Sequence, residues 1–259
     1  MRLLVTNDDG IDSTFLHELV HALRAAGHSL AVVAPATEQS WIGAAKSRNR
    51  PVRSAPAERG LGCPTWIVDG TPSDCVNIAL AHLLPDNQVA GVVSGINIGC
   101  NSSLAFILGS GTVAGALEGA LHGLAAVAVS QDLTVAAYEQ LKQCGGCPDA
   151  GLLAALRASA ARVAELVPEL IAQTPPRGFI VHNLNCPYPT SAHTPVRRTV
   201  PARTVLPRLF GPQEADGVHP FVFHFGENIS PTSPLTDRAA LDAGMISHTL
   251  LDYSRLGHA

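Results

Sequence analysis

The sequence has no excess of basic residues, few aromatic residues and no long apolar run. With 17 Lys and Arg against 21 Asp and Glu, its formal net charge is −4, which gives no electrostatic reason to bind a nucleic-acid duplex or an anionic membrane. No stretch reaches the roughly 18 apolar residues of a membrane span, and the opening MRLLVTND does not have the regions of a signal peptide. We therefore expect a cytoplasmic protein.

Cysteine is also scarce, with six residues in a chain of 259, too few for a disulfide-stabilised scaffold. Cys144 and Cys147 form a C-x-x-C pair, which could act in redox chemistry or supply half of a zinc site. No second C-x-x-C or His pair follows at metal-binding spacing. The favoured interpretation is two thiols in a Gly-rich turn between helices.

What the sequence does contain is a regular alternation of apolar strand-like runs and helical patterns. Strands are predicted at 2–6, 29–34, 65–68, 89–93, 125–130, 179–183 and 245–250, and helices at 14–26, after the turn at 69–74, and at 112–122, 151–171 and 236–242. Continuous apolar strands that alternate with helices are typical of a mostly parallel sheet covered on both faces. The predicted fold class is α/β, in a single domain over 1–259.

The composition and the hydrophobic pattern of the sequence change between residues 187 and 234. Prolines become frequent, periodicity fades, and four arginines cluster at Arg197, Arg198, Arg203 and Arg208. Because a structureless loop of this length is unusual inside a compact domain, we predict an extended hairpin or arm.

Several polar residues follow predicted strands, where ligands of an open parallel sheet bind. Asn7, Asp8, Asp9 and Gly10 follow the first strand and Ser40 the second. Asn97 and Asn101 follow the strand at 89–93, and Ser110, Gly111 and Thr112 begin a helix. We expect these groups to lie on one rim of the sheet.

The adjacent carboxylates Asp8 and Asp9 predict a cation. They repel each other, and burying either one unpaired is costly. Carboxylate, hydroxyl and amide oxygens suit Mg²⁺, Mn²⁺ or Ca²⁺ rather than Zn²⁺. The alternative is that one Asp caps the next helix while the other is solvated.

The stretch SGTVAGALEG adds a predicted anion site. Ser110, Gly111 and Thr112 offer backbone N–H groups and the positive end of a helix dipole, which suit a phosphate. The small residues that follow, Ala114 to Ala116, let the helix approach the sheet closely. A hard metal beside an anion site indicates phosphoester chemistry, in which the metal polarises the ester and lowers the pKa of a bound water.

The H-e-x-x-H pattern at His17 and His21 matches the helix of zinc metalloproteases. On a helical wheel both side chains lie opposite the apolar stripe of Leu19 and Leu23, so we expect them to face solvent. The third His of the extended motif is missing, which disfavours a zinc peptidase.

Asp69 also ends a strand, as the phosphorylated Asp of a receiver domain does. Such domains are about half as long and need a Lys at a later strand end, whereas Lys46 and Lys142 follow no predicted strand. A turn and helix cap is the favoured interpretation of Asp69.

Taken together, the chain resembles the SurE survival proteins, which are metal-dependent nucleotidases and acid phosphatases acting on nucleoside monophosphates. The resemblance rests on NDDG, DGTPSDCVNIAL, SGINIGCN, SGTVAGALEG, NLNCP and TDRAALDAGMIS, in that order, and runs to about residue 250. It implies a Rossmann-like three-layer sandwich and homodimers or homotetramers joined by C-terminal arms, here 187–234.

The resemblance also implies roles for individual residues. One divalent ion per subunit, Mg²⁺ or Mn²⁺, would be held by Asp8, Asp9, Ser40 and Asn97. Asn101 with Ser110, Gly111 and Thr112 would hold the phosphate. Asn7 is counted among the substrate-binding residues.

This sequence departs from the family pattern at three points. Ile11 to Phe15 replaces an Ala-Pro-Gly turn after NDDG, and Trp41 stands where Gly usually follows the serine. The segment 102–109 is one residue longer and uncharged where the family carries an acidic pair. The predicted consequence is a changed pocket wall and a changed substrate preference.

The main hypothesis is a metal-dependent phosphomonoesterase, a 5'/3'-nucleotidase or an enzyme for a related small phosphate ester. Asp8, Asp9 and Asn97 are the predicted catalytic residues, and the groups at 110–112 with Asn101 stabilise charge on the phosphate. The alternative is a diverged metal- and nucleotide-binding protein with little or no turnover.

Overall fold

A nine-stranded sheet forms the centre of the computed structural model, which describes residues 1–84, 89–224 and 226–257. Its strands in chain order are β1 (Arg2–Thr6), β2 (Ser29–Pro35), β3 (Ser54–Pro56), β4 (Thr65–Val68), β5 (Gly91–Ile98), β6 (Ala125–Gln131), β7 (Ile180–Cys186), β8 (Val196–Thr199) and, after a separate hairpin, β11 (Ile246–Asp252). They are ordered β3-β4-β2-β1-β5-β6-β7-β11-β8 across the sheet.

The sheet is mostly parallel, as predicted. Strands β4, β2, β1, β5, β6 and β7 run parallel to one another. The antiparallel pairs lie towards the two edges, where β3 pairs with β4 and β11 pairs with β7. β8 then runs parallel to β11.

Helices cover both faces of the sheet. They are α1 (Thr14–Ala25), α2 (Pro72–Ile78), α3 (Leu104–Gly109), α4 (Gly111–Leu121), α5 (Val135–Gln143), α6 (Ala150–Gln173) and α7 (Asp237–Asp242). α1 and α6 share one apolar core with the sheet, while α2 and α4 pack on the opposite face. This is the predicted three-layer, Rossmann-like sandwich. Among the described residues, no helix combines the length and apolar character needed to cross a bilayer.

Helix α1 buries the apolar stripe that its sequence predicted. Leu19 and Leu23 lie in the core, while His21 is exposed. His17 is half-buried because its ring contacts the carbonyl of Ile11, with 2.8 Å between Nε2 and O. The two histidines are therefore on the outer side of the helix, and within the described residues no three His, Cys, Asp or Glu side chains are grouped to bind a metal.

Helix α4 lies unusually close to the sheet. A Cβ atom at Gly115 would lie 3.0 Å from both Ser94 Oγ and Thr6 Cγ2, so a larger residue would force these side chains to shift. The small residues of this helix have the packing role that the sequence predicted. The N-terminus of α4 is thereby fixed beside the carboxyl end of β1.

Strand β5 continues five residues past its predicted end at 93, reaching Ile98. The polar residues and glycines of this stretch predicted a loop. In the structure, Ser94 and Asn97 pair with Ala128 and Ser130 of β6. The ladder shifts register between Ser94 and Asn97, as at a bulge. Asn97 therefore projects from a strand rather than from a flexible loop.

The segment 187–234 contains one strand that was not predicted and one hairpin. β8 joins the main sheet through β11, although two of its four residues are exposed arginines. The hairpin pairs β9 (Thr204–Val205) with β10 (Glu227–Asn228), and Phe210 bridges Phe221 further along. Residue 225 of this predicted arm lies outside the described residues.

Other short elements were also missed, namely β3, α3 and α5. Cys144 and Cys147 are exposed free thiols in the turn between α5 and α6, as favoured from the sequence. Asp69 lies in the predicted turn, but Thr71 rather than Asp69 caps α2, through a hydroxyl that accepts from Asp74 N at 3.1 Å.

Candidate metal and phosphate site

The NDDG turn follows β1 directly and is closed by its own asparagine. Asn7 Nδ2 donates to the carbonyl of Gly10 at 2.9 Å, which fixes the turn. The other amide atom, Asn7 Oδ1, is buried and has no hydrogen-bond partner among the described residues. An unpaired buried acceptor at this place is costly unless a ligand or water supplies a donor.

Asp8 is buried, with 3% of its surface exposed, against the N-terminus of α4. The Thr112 hydroxyl donates to Asp8 Oδ1. A Cβ atom on Gly111 would lie 2.9 Å from Asp8 Oδ2, so the glycine gives the carboxylate room. The positive end of the α4 dipole thus faces this negative group.

Asp9 joins the ends of two neighbouring strands. Its Oδ2 accepts a hydrogen bond from the backbone N–H of Ile98 at 3.1 Å, at the end of β5. The NDDG turn and Asn97, which precedes Ile98, are therefore held side by side.

Burial sets the protonation of both carboxyl groups. It raises the pKa of Asp8 to about 6, against the opposing hydrogen bond from Thr112. Burial and the negative charge of Asp8 raise the pKa of Asp9 well above its usual range, and Glu38 adds to both shifts. No lysine, arginine or histidine within the described part of the chain forms an ion pair with either Asp. Within the described residues, no basic side chain neutralises these two carboxyl groups.

The loop after β2 packs against Asp8. The backbone N–H of Gln39 donates to the carbonyl of Asp8 at 2.7 Å. Ser40 is exposed, and its hydroxyl donates to Glu38 Oε1 at 2.6 Å. Sequence analysis missed Glu38, although an acidic residue two positions before Ser40 on the same loop was the signal for it.

Asn97 lies at the end of β5 and is almost fully buried. Its Nδ2 donates to the carbonyl of Gly99 at 2.6 Å, which uses the donor end of the amide. In the ladder with β6, Asn97 pairs with Ser130.

Asn101 sits in a cluster of buried amides. Its N–H donates to Asn185 Oδ1 at 2.7 Å, and its carbonyl accepts from Asn183 Nδ2 at 2.9 Å. Asn101 Nδ2 donates to Ser130 Oγ at 2.9 Å. Asn183 and Asn185 were not predicted, although polar residues two apart in an apolar strand lie on one face and signal a shared site.

The start of α4 has two of its hydroxyls engaged. The Ser110 side chain caps the helix by accepting from the N–H of Val113 at 3.0 Å, and the Thr112 hydroxyl is directed to Asp8. Ser110, Gly111 and Thr112 are all buried. The predicted anion-binding group thus lies directly beside the predicted cation-binding pair.

Asp237, which sequence analysis also missed, anchors the loop that follows Asn101. Its carboxylate accepts from the N–H of Ser103 at 2.9 Å and from the N–H of Ala202 at 2.8 Å. Burial raises its pKa, and these hydrogen bonds oppose the shift. Its place in TDRAALDAGMIS was the signal available in the sequence.

The structure therefore brings some of the predicted residues together, directly or through one shared neighbour, whereas the Ser40 hydroxyl bonds Glu38. Asp8, Asp9 and Thr112 meet at the carboxyl ends of β1 and β5, and Ser130 connects Asn97 with Asn101. Oxygen ligands beside a helix N-terminus form a site that can hold a divalent cation together with a phosphate.

Comparison with known proteins identifies relatives of the chain. Residues 3–205 match the family model described as survival protein SurE. A protein of Brucella canis named 5'-nucleotidase SurE is 32% identical over 262 residues, covering 100% of this chain and 94% of the relative.

Other relatives match over a shorter stretch. The 5'-nucleotidase SurE of Maridesulfovibrio salexigens is 47% identical over 139 residues, which cover 51% of each chain. Several such alignments span only about half the length of the curated relatives that they match. The crystal structure of a SurE protein from Aquifex aeolicus superposes with a TM-score of 0.74 at 25% identity, covering 97% of this chain and 93% of the other.

Proposed function

The chain belongs to the SurE family, and we propose that it is a divalent-metal-dependent phosphomonoesterase that hydrolyses nucleoside monophosphates. The observation that carries the proposal is the buried pair Asp8 and Asp9. Burial raises the pKa of both groups, neither forms an ion pair within the described residues, and Asp8 lies beside the N-terminus of α4. The names of the relatives, 5'-nucleotidase, agree with this activity.

The residues present fit one divalent ion per subunit. Asp8, Asp9, Ser40 and Asn97 would hold it through oxygen atoms only, which suits Mg²⁺ or Mn²⁺. When bound, such an ion polarises a phosphate oxygen and lowers the pKa of a water molecule. Glu38 lies close enough to raise the pKa of both Asp8 and Asp9 and adds negative charge to the same place.

The chain's own groups would hold the phosphate. Helix α4 begins beside Asp8, so its positive end would attract the phosphate there, and Ser110, Gly111 and Asn101 are the proposed phosphate-binding residues. Because these donors are buried and fixed by the packing of α4 on the sheet, they would stabilise charge on the phosphate without reorganising. The Thr112 hydroxyl orients Asp8 rather than contacting the phosphate directly.

The proposal includes assembly into a homodimer or homotetramer through the 187–234 arm. Apolar side chains are exposed along the hairpin of this arm, at Val205, Phe210, Val218 and Ile229. An exposed apolar strip of this kind marks an interaction surface. Light scattering coupled to size-exclusion chromatography tests the assembly. A cytoplasmic location is also proposed, which the six free cysteines support.

Phosphate release from a panel of nucleoside monophosphates, with Mg²⁺ or Mn²⁺ and after chelation, tests the activity. We expect metal-dependent turnover that Asp8→Asn abolishes and that the matched control Asp69→Asn, at an exposed Asp directly after β4, leaves intact. Failure of the wild-type protein to hydrolyse any member with either ion would contradict the proposal. Nucleotide-dependent thermal stabilisation without turnover would then identify a binding protein.

A further inference from the structure

Two of the departures from the family pattern meet in the structure. Trp41 replaces the usual glycine, and Phe106 belongs to the altered segment 102–109. Their ring centroids are 5.6 Å apart in an edge-to-face arrangement. The Trp41 ring also covers Gly109, where an added Cβ would lie 3.3 Å from Cε3, and Gly43 N–H donates to the carbonyl of Gly109 at 2.9 Å. The two changes therefore form one feature.

The backbone of Trp41 indicates that its side chain has a function. Its φ is +60°, in the left-handed region that glycine adopts without strain and a large side chain does not. Residues held in such conformations cluster at binding sites. A tryptophan has taken a position whose backbone favours glycine.

The Trp41 ring lies close to the predicted phosphate site. Trp41 directly follows Ser40, and its ring rests on Gly109, while Gly111 contacts Asp8. Gly109 and Gly111 are two residues apart, a span of about 7 Å at most. The Trp41 ring and the Asp8 carboxylate therefore lie against the same short segment of backbone. A group attached to the bound phosphate can reach this ring.

The Trp41 side chain packs against three aromatic rings but remains partly exposed. Phe221 and Phe223 of the hairpin lie 5.6 Å and 6.2 Å from the Trp41 ring, so Trp41 is supported from behind by Phe106 and by the hairpin. Nevertheless 40% of the Trp41 surface is exposed. A rigid, partly open aromatic face is the usual surface on which a base stacks.

We propose that Trp41, braced by Phe106, is a specificity-determining wall on which the base of the substrate stacks, and that it favours purine over pyrimidine monophosphates. The proposal rests on the proposed function, because it takes the phosphate to lie at Asp8. A purine offers the larger stacking area. The altered segment 102–109 is then an adaptation to substrate rather than a loss of function.

Steady-state kinetics of Trp41→Gly test this wall. Glycine adopts the φ of +60° without strain, so the variant keeps the loop's backbone. We expect KM for AMP and GMP to rise about tenfold, the equivalent of about 1.4 kcal/mol of stacking, with kcat nearly unchanged. KM for CMP and UMP should rise less, and KM for ribose 5-phosphate, which has no base, should not change.

Two further variants separate stacking from loop structure. Trp41→Phe keeps an aromatic face and should keep most of the purine preference. Tyr138→Ala removes an exposed aromatic side chain of α5 that packs on Lys142 rather than on Trp41, and should behave as wild type. An equal rise in KM for AMP and ribose 5-phosphate in Trp41→Gly would overturn the proposal. So would a changed oligomeric state with unchanged base preference, which would make the cluster an interface between copies.

A binding measurement keeps this proposal separate from the proposed function. The chain has two tryptophans, so Trp66→Phe leaves Trp41 as the sole tryptophan fluorophore. With Mg²⁺ present, AMP should quench this fluorescence and ribose 5-phosphate should not. Turnover without quenching would overturn the wall and leave the nucleotidase intact. Quenching without turnover would support the wall and contradict the nucleotidase.

Discussion

Helix α4 has a buried carboxylate near each end, and the two are neutralised differently. Asp8 at the N-terminus and Glu118 in the second half have 3% and 4% of their surface exposed. Glu118 Oε2 accepts from Lys46 Nζ at 2.6 Å, its Oε1 accepts from Asn77 Nδ2, and His122 Nε2 lies 3.6 Å away. Asp8 accepts from Thr112 and has Asp9 beside it, without an ion-pair partner among the described residues.

Equal burial therefore has opposite meanings at the two ends. The protein supplies Glu118 with its own cation, so that carboxylate fastens the loop carrying Lys46 to α4. The pair at the N-terminus keeps two carboxyl groups that repel each other, a costly arrangement unless a ligand completes it. Among the described residues, the lack of an ion-pair partner, rather than burial itself, distinguishes Asp8 from Glu118.

The largest expected effect comes from removing the negative charge of Asp8, at the N-terminus of α4. Asp8→Asn should lower phosphate release at saturating Mn²⁺ by at least about 100-fold, since a metal contributes several kcal/mol to such reactions. Glu118→Gln, the matched change at the other end, should keep near wild-type turnover. Comparable losses in both variants, measured with AMP, would erase the distinction between the two ends.

The pH dependence of stability should expose the unneutralised charge. The pKa of Asp8 is about 6 in the folded protein against 3.8 ordinarily, so the folded state binds this proton more tightly. Its stabilising effect is complete below about pH 4 and is lost as pH rises through 6, by about 3 kcal/mol. Urea unfolding of the metal-free wild type and Asp8→Asn at pH 4 to 8 measures this, and the advantage of the Asn variant should grow up to about pH 6 and then level off.

Comparing the two proteins cancels the titrations that they share and leaves that of Asp8 together with its effect on Asp9. Burial lowers the pKa of His182 to about 4 and that of His248 to about 3. These histidines destabilise both proteins as pH falls below about 6.5, which is the opposite sign. An advantage of the Asn variant that stays constant with pH would mean that Asp8 is not strained by its burial.

Binding of a divalent cation at Asp8 and Asp9 should stabilise the folded protein. At about 100 times its Kd, Mn²⁺ or Mg²⁺ contributes about 2.7 kcal/mol, which raises Tm by roughly 5–10 °C in a chain of this size. Differential scanning fluorimetry with and without chelator measures the shift. Asp9→Asn should abolish it and Lys46→Met should leave it, whereas an equal shift in all three proteins would place the ion elsewhere.

Removing the ion pair between Lys46 and Glu118 should lower the free energy of unfolding without affecting turnover per folded molecule. Lys46→Met leaves Glu118 with Asn77 and His122, and because Lys46 is half-exposed we expect a loss of about 1–2 kcal/mol. Chemical denaturation measures the loss, and kcat for AMP should remain near that of wild type. A tenfold lower kcat would mean that this cluster acts on the site.

The smallest effect is expected at Asp69, which ends a strand but is exposed. It pairs with Arg50, whose side chain is also about half exposed. Asp69→Asn should change the free energy of unfolding by less than about 0.5 kcal/mol, because exposed ion pairs contribute little. A marked loss of turnover in this variant would show that exposed strand-end carboxylates also belong to the site.

Sequence alone predicted the parallel strands of the core and part of the candidate site, for physical reasons. Runs such as 29–34 are apolar throughout, so their burial on both faces is encoded locally. The pair Asp8 and Asp9 is informative because adjacent like charges need an explanation at the end of a buried strand. Sequence alone therefore predicted a site at the carboxyl end of β1.

The elements that were missed depend on distant partners. The arginine-rich β8 becomes a strand through its pairing with β11, and the Ser94 to Ile98 part of β5 through its pairing with β6. Asp237 binds Ser103, which lies 134 positions away in the chain. No local pattern encodes a contact of that range.

The position of β11 has a consequence for synthesis. This strand lies between β7 and β8, so it completes two ladders at once. During translation, β7 emerges earlier and keeps one backbone edge unpaired until residues 246–252 leave the ribosome. Unpaired edges are templates for pairing between chains, so crowded polysomes expose this edge to its neighbours. The strand between them, made after both of its partners, is the one that ends this exposure.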